Sequence, residues 1–329
     1  MASSTATKSR EIAAEIPTVV RVYKDGTVER LRESSFVPPS LDDPQLTTVS
    51  SKDTLISHEP SISARLYLPK PIDNKKLPIL VYFHGGGFLF ESAFSQSYHS
   101  HFNCFVSQVD VIVVSVEYRL APEHPLPAAY HDCWASLQWV AAHYSSPNPT
   151  NREPWLINHG DFTRVFLGGD SAGGNIVHNM LMRAGSETLP GSLKVLGAFL
   201  SHPFFYGSQP IGSEQATIAT QAPDYMLKVW NLVFPGAPGG IDCPMINPMA
   251  DGAPCLAGIG CSKLLICVAG KDKLRDRGVW YYDAVKNSGW LGELDLFEET
   301  QEDHVYHINN PQSQTAHNFI KRLASFLLG

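Results

Sequence analysis

The sequence predicts an α/β protein built on a mostly parallel, doubly wound sheet. Short apolar runs that end in Gly, Asp, His or Pro alternate with segments of helical spacing. Two glycine clusters stand at the ends of such runs. Continuous apolar strands of this kind belong to parallel sheets covered on both faces. In such sheets ligands bind beyond the carboxyl ends of the strands.

From the N-terminus, TVVRVYKDGTVERL (18–31) reads as a hairpin on a KDG turn and leads into the Pro-rich FVPPSLDDPQ. Strands are expected in LPILVYFHGGG (77–87), VDVIVVSVEYRL (109–120), RVFLGGD (164–170), KVLGAFLSHPFF (194–205), KLLICVAGKD (263–272) and the start of ELDLFEETQEDHVYH (293–307). Helical spacing marks AAYHDCWASLQWVAAHY (128–144), GNIVHNMLMRAG (174–185), GVWYYDAVKNSG (278–289) and AHNFIKRLASFLL (316–328). Two stretches break the alternation, residues 1–60 and the Gly-, Pro- and Met-rich 206–250 around MLKVWNLVF. Both are expected to form a cap over one domain that spans residues 1–329.

With 329 residues, 43% of them apolar, the chain can bury a sizeable core. Its net charge of -7, without a basic run, offers no footprint for nucleic acid or an anionic membrane, so the expected partner is a small molecule. Cys104, Cys133, Cys243, Cys255, Cys261 and Cys267 show no paired C-x-x-C spacing. Reduced thiols are expected, with neither a disulfide framework nor a metal site, and no cofactor. The first residues lack the apolar core of a signal peptide, and no run approaches the roughly 18 to 20 apolar residues of a membrane span. A cytoplasmic location is the expectation.

Gly169-Asp170-Ser171-Ala172-Gly173 is a G-x-S-x-G where a strand meets a helix, the setting of a nucleophile elbow. There the serine hydroxyl stands at a helix N-terminus, whose free N–H groups and dipole favour negative charge. The motif alone also suits a glycine-rich turn. A second cluster, His84-Gly85-Gly86-Gly87-Phe88, comes after the strand LPILVYF and is the HGGG pattern of an oxyanion hole, with Gly85, Gly86, Gly87 and Ala172 as candidates. His84 precedes the donors and reads as a brace for the loop.

Serine needs a base and an orienting acid, in the chain order Ser, Asp or Glu, His. Asp272 and Asp276 both come after the strand KLLICVAG; Asp272, nearer the strand end, is preferred, and Asp276 suits a helix-start salt bridge. His304 and His307 lie past the last strand, and His304 is preferred as the nearer. Glu302 and Asp303 could raise its pKa. His178 reads as a helix-face residue, and the aromatics Phe88, Phe90 and Trp230 as pocket walls, with core packing as the other reading.

HGGGF, SVEYRLAPEHPLPAAY, GDSAGGNIVHNM, KDKLRDRGVWYY and EDHVYH together resemble the plant carboxylesterase branch of the hormone-sensitive-lipase-like α/β hydrolases, over almost the whole chain. GSQPIGSE, PGAPGGID and PMINP are similar to the 2-hydroxyisoflavanone dehydratase-like members. The resemblance implies an α/β-hydrolase fold with a helical cap, Ser171, Asp272 and His304 as catalytic triad, and Gly86, Gly87 and Ala172 as the main oxyanion donors with Gly85 beside them. Similar legume dehydratases carry threonine at the position of Ser171, similar alkaloid cyclases have altered the HGGG and the histidine, and gibberellin-receptor relatives have lost the histidine. Ester hydrolysis of a small apolar or plant-metabolite ester is therefore the expectation. Elimination or cyclisation on a hydroxylated phenolic or alkaloid scaffold is the alternative.

Overall fold

The structure, a computed structural model, describes residues 10–40, 48–70, 75–145, 152–215 and 225–329. Three short strands, β1 (Ile12–Ile16), β2 (Val20–Tyr23) and β3 (Val28–Arg30), make a small antiparallel sheet, with the expected hairpin turning at Gly26. The main sheet holds β4 (Val49–Ser57), β5 (Ile62–Pro69), β6 (Leu77–Phe83), β7 (Ile112–Glu117), β8 (Gly160–Asp170), β9 (Gly197–Ser201), β10 (Lys263–Ala269) and β11 (Glu293–Glu299). Its order is β11-β10-β9-β8-β6-β7-β5-β4, parallel from β11 to β7 and antiparallel at β5 and β4.

Helices close both faces, which is why the central strands read as unbroken apolar runs. They are α1 (Gln96–Val106), α2 (Ala128–Ser145), α3 (Pro154–His159), α4 (Ala172–Ser186), α5 (Tyr225–Val233), α6 (Arg275–Asn287), α7 (Tyr306–Asn309) and α8 (Gln314–Leu328). Along β6, Ile79, Val81 and Phe83 join a core with Leu137 of α2, Leu181 of α4 and Tyr281 of α6. The intervening Leu80 and Tyr82 join a second core with Phe102 of α1 and Phe319 of α8. Serine hydroxyls of Ser95 and Ser313 cap the first turns of α1 and α8.

The cap expected from the sequence needs one correction. Residues 49–57 are not part of a covering segment but the edge strand β4, antiparallel to β5. VSSKDTLIS alternates in burial over most of its length, and with water on one side it lacks the apolar run that marks the inner strands. Residues 1–9, 41–47 and 216–224 of the expected cap lie outside the described residues. Among the described residues no helix is long and apolar enough to cross a membrane.

The chain places β7 on one side of β6 and then returns to place β8 on the other. That reversal opens a crevice at the carboxyl ends of β6 and β8. Phe83 and Gly169 are register partners across it, so the glycines after β6 and the serine after β8 come out side by side.

Candidate active site

Ser171 holds a left-handed backbone, φ 54° and ψ -116°, between the end of β8 and the first turn of α4. Few side chains are held in such a conformation unless the surroundings fix it. Here its N–H is bonded to the Ser201 carbonyl at 2.9 Å and its own carbonyl receives the Phe204 N–H at 2.9 Å. Gly173 lets α4 start this close to the sheet, because a Cβ there would run into the Phe83 carbonyl oxygen. Asn175, fully buried in α4, ties the elbow to neighbouring loops by donating to the Phe204 and Met245 carbonyls and accepting from Tyr130.

Three side chains meet in line. Ser171 Oγ lies 2.9 Å from His304 Nε2, and His304 Nδ1 lies 2.7 Å from Asp272 Oδ2. Asp272 is itself fixed, since its Oδ1 accepts the Leu274 N–H at 2.9 Å. Burial pushes the Asp272 carboxyl up, but the neighbouring His202 and His304 imidazoles, the latter hydrogen-bonded to it, hold it well below the usual carboxylate range. Burial pulls the His304 imidazole down, and the hydrogen bond and charge of Asp272 outweigh it and raise its pKa above 6.5. A charged Asp272 keeps the proton on Nδ1, so Nε2 is free to take one from Ser171. Asp303 adds a smaller push in the same direction.

The alternatives fall elsewhere. Asp276 accepts from the Ser213 N–H and hydroxyl, both at 2.7 Å, and from Arg275 at the start of α6. His307 is buried against Phe319, ring centroids 4.3 Å apart. His178, expected on a helix face, lies on the buried face of α4, bonded to the Tyr281 hydroxyl of α6 at 2.9 Å. His84 is the brace expected of it, stacked on Tyr118 at 4.2 Å, with the Tyr118 hydroxyl donating to the His84 carbonyl.

The glycine loop divides its labour. Among the described residues, the N–H groups of Gly86, Gly87 and Ala172 have no acceptor, and all three residues stand at the serine end of the crevice. Gly86, at φ +97°, takes a backbone that side chains avoid, and a Cβ on it would strike the Phe90 carbonyl. Gly85 does not belong with these donors, because its N–H is bound to the Tyr98 hydroxyl at 2.6 Å. It is glycine because a Cβ would collide with the Asp170 carboxylate.

Four residues escaped sequence reasoning. Asp170, buried behind Ser171, accepts from the hydroxyls of Tyr82 at 2.7 Å and Tyr98 at 2.9 Å; burial still pushes its carboxyl up to about 6. His202, at the end of β9, accepts the Val305 N–H on Nδ1 at 2.9 Å and so fixes the residue after His304. The only available signal was their place just beyond strand ends or within an aromatic run, which core residues share. His202, Asp272 and His304 bring ligand atoms within 4.8 Å of one another, a spacing fit for a cation. The His304 nitrogens and the Asp272 oxygens are already engaged by one another, Ser171 and Leu274, and His202 Nδ1 by Val305.

Beside Ser171 lies a cavity of about 350 Å³. Leu89, Phe90, Phe204, Met226, Val229 and Leu274 give it apolar walls. Thr18, Val19 and Arg32 reach it from the N-terminal segment, and Tyr225 from the start of α5. Phe88 and Trp230 do not line it. Phe88 packs against Tyr130 and Phe204 in the core, and buried Trp230 donates its indole N–H to the Gly240 carbonyl.

This fold and this strand-end constellation are those of an α/β hydrolase. The family model described as the alpha/beta hydrolase fold matches residues 80–308, and the chain belongs to that family. It is 54% identical to a 2-hydroxyisoflavanone dehydratase of Glycyrrhiza echinata, with the whole of both chains covered. It is 48% identical to hydrolase 3 of Catharanthus roseus over 97% of this chain and 99% of that one. Among solved structures, an esterase of Pyrobaculum calidifontis superposes with a TM-score of 0.64 at 26% identity, covering 84% of each chain.

Proposed function

We propose that the protein is a serine carboxylesterase acting through Ser171, His304 and Asp272. The observation that carries this reading is the 2.9 Å contact of Ser171 Oγ with His304 Nε2, backed by Asp272 at 2.7 Å and faced by unoccupied amides. His304 takes the serine proton as Oγ attacks the ester carbonyl, and Asp272 stabilises the imidazolium. Gly86, Gly87 and Ala172 donate to the oxyanion, where the loss of one donor in comparable sites costs about 3 kcal/mol. The imidazolium returns its proton to the leaving alcohol, and water repeats the attack on the acyl-enzyme. The N-terminal segment and α5 act as the cap.

The likeness to a protein named as a dehydratase supports a second reading on the same atoms. His304 Nε2 takes a proton next to a substrate ketone, the amides hold the enolate, and a hydroxyl leaves as water with that proton. Hydrolysis of p-nitrophenyl acetate and butyrate by the protein and by Ser171→Ala separates the two. Activity that vanishes with the serine oxygen is the expected result. A folded protein that hydrolyses neither ester, or a Ser171→Ala variant that keeps its rate, overturns the esterase reading.

A further inference from the structure

The cavity lining is not apolar throughout. Glu91, Ser97, Tyr98 and Asp170 contribute to it where the glycine loop meets α1. Tyr98 and Asp170 are bonded to each other, but Glu91 is differently placed. Its backbone is left-handed, φ +72°, and its Oε2 is shut off from bulk water with no donor among the described residues. The neighbouring donors are spent elsewhere, the Ser92 hydroxyl and Ala93 N–H both on Glu117, at 2.9 and 2.7 Å. A shielded carboxylate oxygen without a partner calls for an explanation, and Glu91 is one of the residues that line the cavity. The hydroxyl of Ser97, half-buried in the first turn of α1, also makes no hydrogen bond among the described residues.

We infer that Glu91 and Ser97 form a subsite for a hydroxyl group on the substrate. A hydroxyl donates a hydrogen bond to the Glu91 carboxylate and accepts one from the Ser97 hydroxyl; an apolar group would leave both unmatched. The substrates are therefore hydroxylated molecules, with the apolar walls taking the rest. This rests on the cavity being the substrate site of Ser171.

The test uses esters that differ by a hydroxyl: p-nitrophenyl β-hydroxybutyrate against the butyrate for the acyl limb, and glyceryl monoacetate against propyl acetate for the alcohol limb. The protein is expected to prefer the hydroxylated ester of one pair by about tenfold or more in kcat/KM, because a site built to bind a hydroxyl leaves its own polar groups unpaired with the analogue. Glu91→Leu removes that preference. Glu91→Gln, which keeps an acceptor, retains part of it and serves if the leucine variant does not fold. A preference below about twofold on both limbs, or one that survives Glu91→Leu, overturns the proposal.

The same esters titrated onto Ser171→Ala read the subsite without turnover. If the wild type hydrolyses none of them, the esterase reading fails, and the ratio of dissociation constants alone decides on Glu91. A ratio of about tenfold or more supports the subsite and an even one overturns it. Tighter binding of the γ-aminobutyrate ester than of the hydroxylated one overturns the hydroxyl assignment in favour of an ammonium.

Discussion

Replacing Tyr98 by phenylalanine removes one oxygen, and that oxygen holds two parts of the site together. It accepts the Gly85 N–H at 2.6 Å and donates to both Asp170 oxygens at 2.9 Å, in a side chain only 1% exposed. In the variant the Gly85 N–H is buried without an acceptor, at about 1–3 kcal/mol. Asp170 keeps the Tyr82 hydroxyl. Its carboxyl, already at about 6, rises further and takes a proton instead of staying charged and underpaired, so its share lies near the low end. The sum is about 2–4 kcal/mol. The loss is smaller below the wild-type pKa, where Asp170 is neutral in both proteins, and grows as pH rises through about 6. Because Gly85 leads directly into the amides of Gly86 and Gly87, kcat falls as well, by about tenfold, less than the loss of a donor outright. Tyr82→Phe is the control, removing a bond to the same carboxylate without touching Gly85. Urea unfolding gives the stabilities and ester hydrolysis the kinetic constants. Equal losses of kcat in the two variants, or a Tyr98→Phe cost under about 0.5 kcal/mol, would refute the reasoning.

The pH profile of kcat/KM has its acid inflection above 6.5, since His304 must be neutral to act and its pKa is raised. Asp272→Asn moves that inflection down and cuts kcat by about 10⁴-fold, as wrong-tautomer variants of such triads do; an unmoved inflection counts against Asp272. Gly173→Ala forces a methyl into the Phe83 carbonyl and is expected to cost about 3 kcal/mol or more, read as a lowered melting temperature. His202→Leu takes the acceptor from the Val305 N–H and is expected to lower kcat about tenfold with less change in KM, as a loss of His304 alignment. Partial rescue by His202→Asn, which restores an acceptor, separates this positioning role from packing.

Structure is legible in the chain where physics leaves a one-dimensional trace. Both faces of β6 to β10 are covered, so LPILVYF and LLICVA are apolar without interruption and their strands are plain to see. The elbow and the glycine loop are also local, since each needs small residues at fixed spacing for steric reasons. Edge strand β4 leaves no such trace, because Ser, Lys, Asp and Thr interrupt its apolar residues. Three glycines in a row read as three donors, but Gly85 is small for the sake of Asp170. Tyr98 and Tyr82 meet Asp170 from 72 and 88 residues away in the chain and His202 meets Val305 from 103 residues away, and no spacing rule connects them.

Hydrolysis and elimination ask for nearly the same machine. Both use His304 as base, Asp272 behind it, and amides that hold an oxyanion or an enolate. The strained backbone of Ser171 does not discriminate, because main-chain bonds to Ser201 and Phe204 hold it whatever side chain stands there. The discriminating feature is the direction of the side chain. An elimination base must face the substrate, and Nε2 of His304 instead meets Ser171 Oγ at 2.9 Å. To abstract a proton from carbon the imidazole would have to give up that contact or share it. To activate the serine it need move nothing, and this geometry is what favours the proposed acyl transfer over elimination.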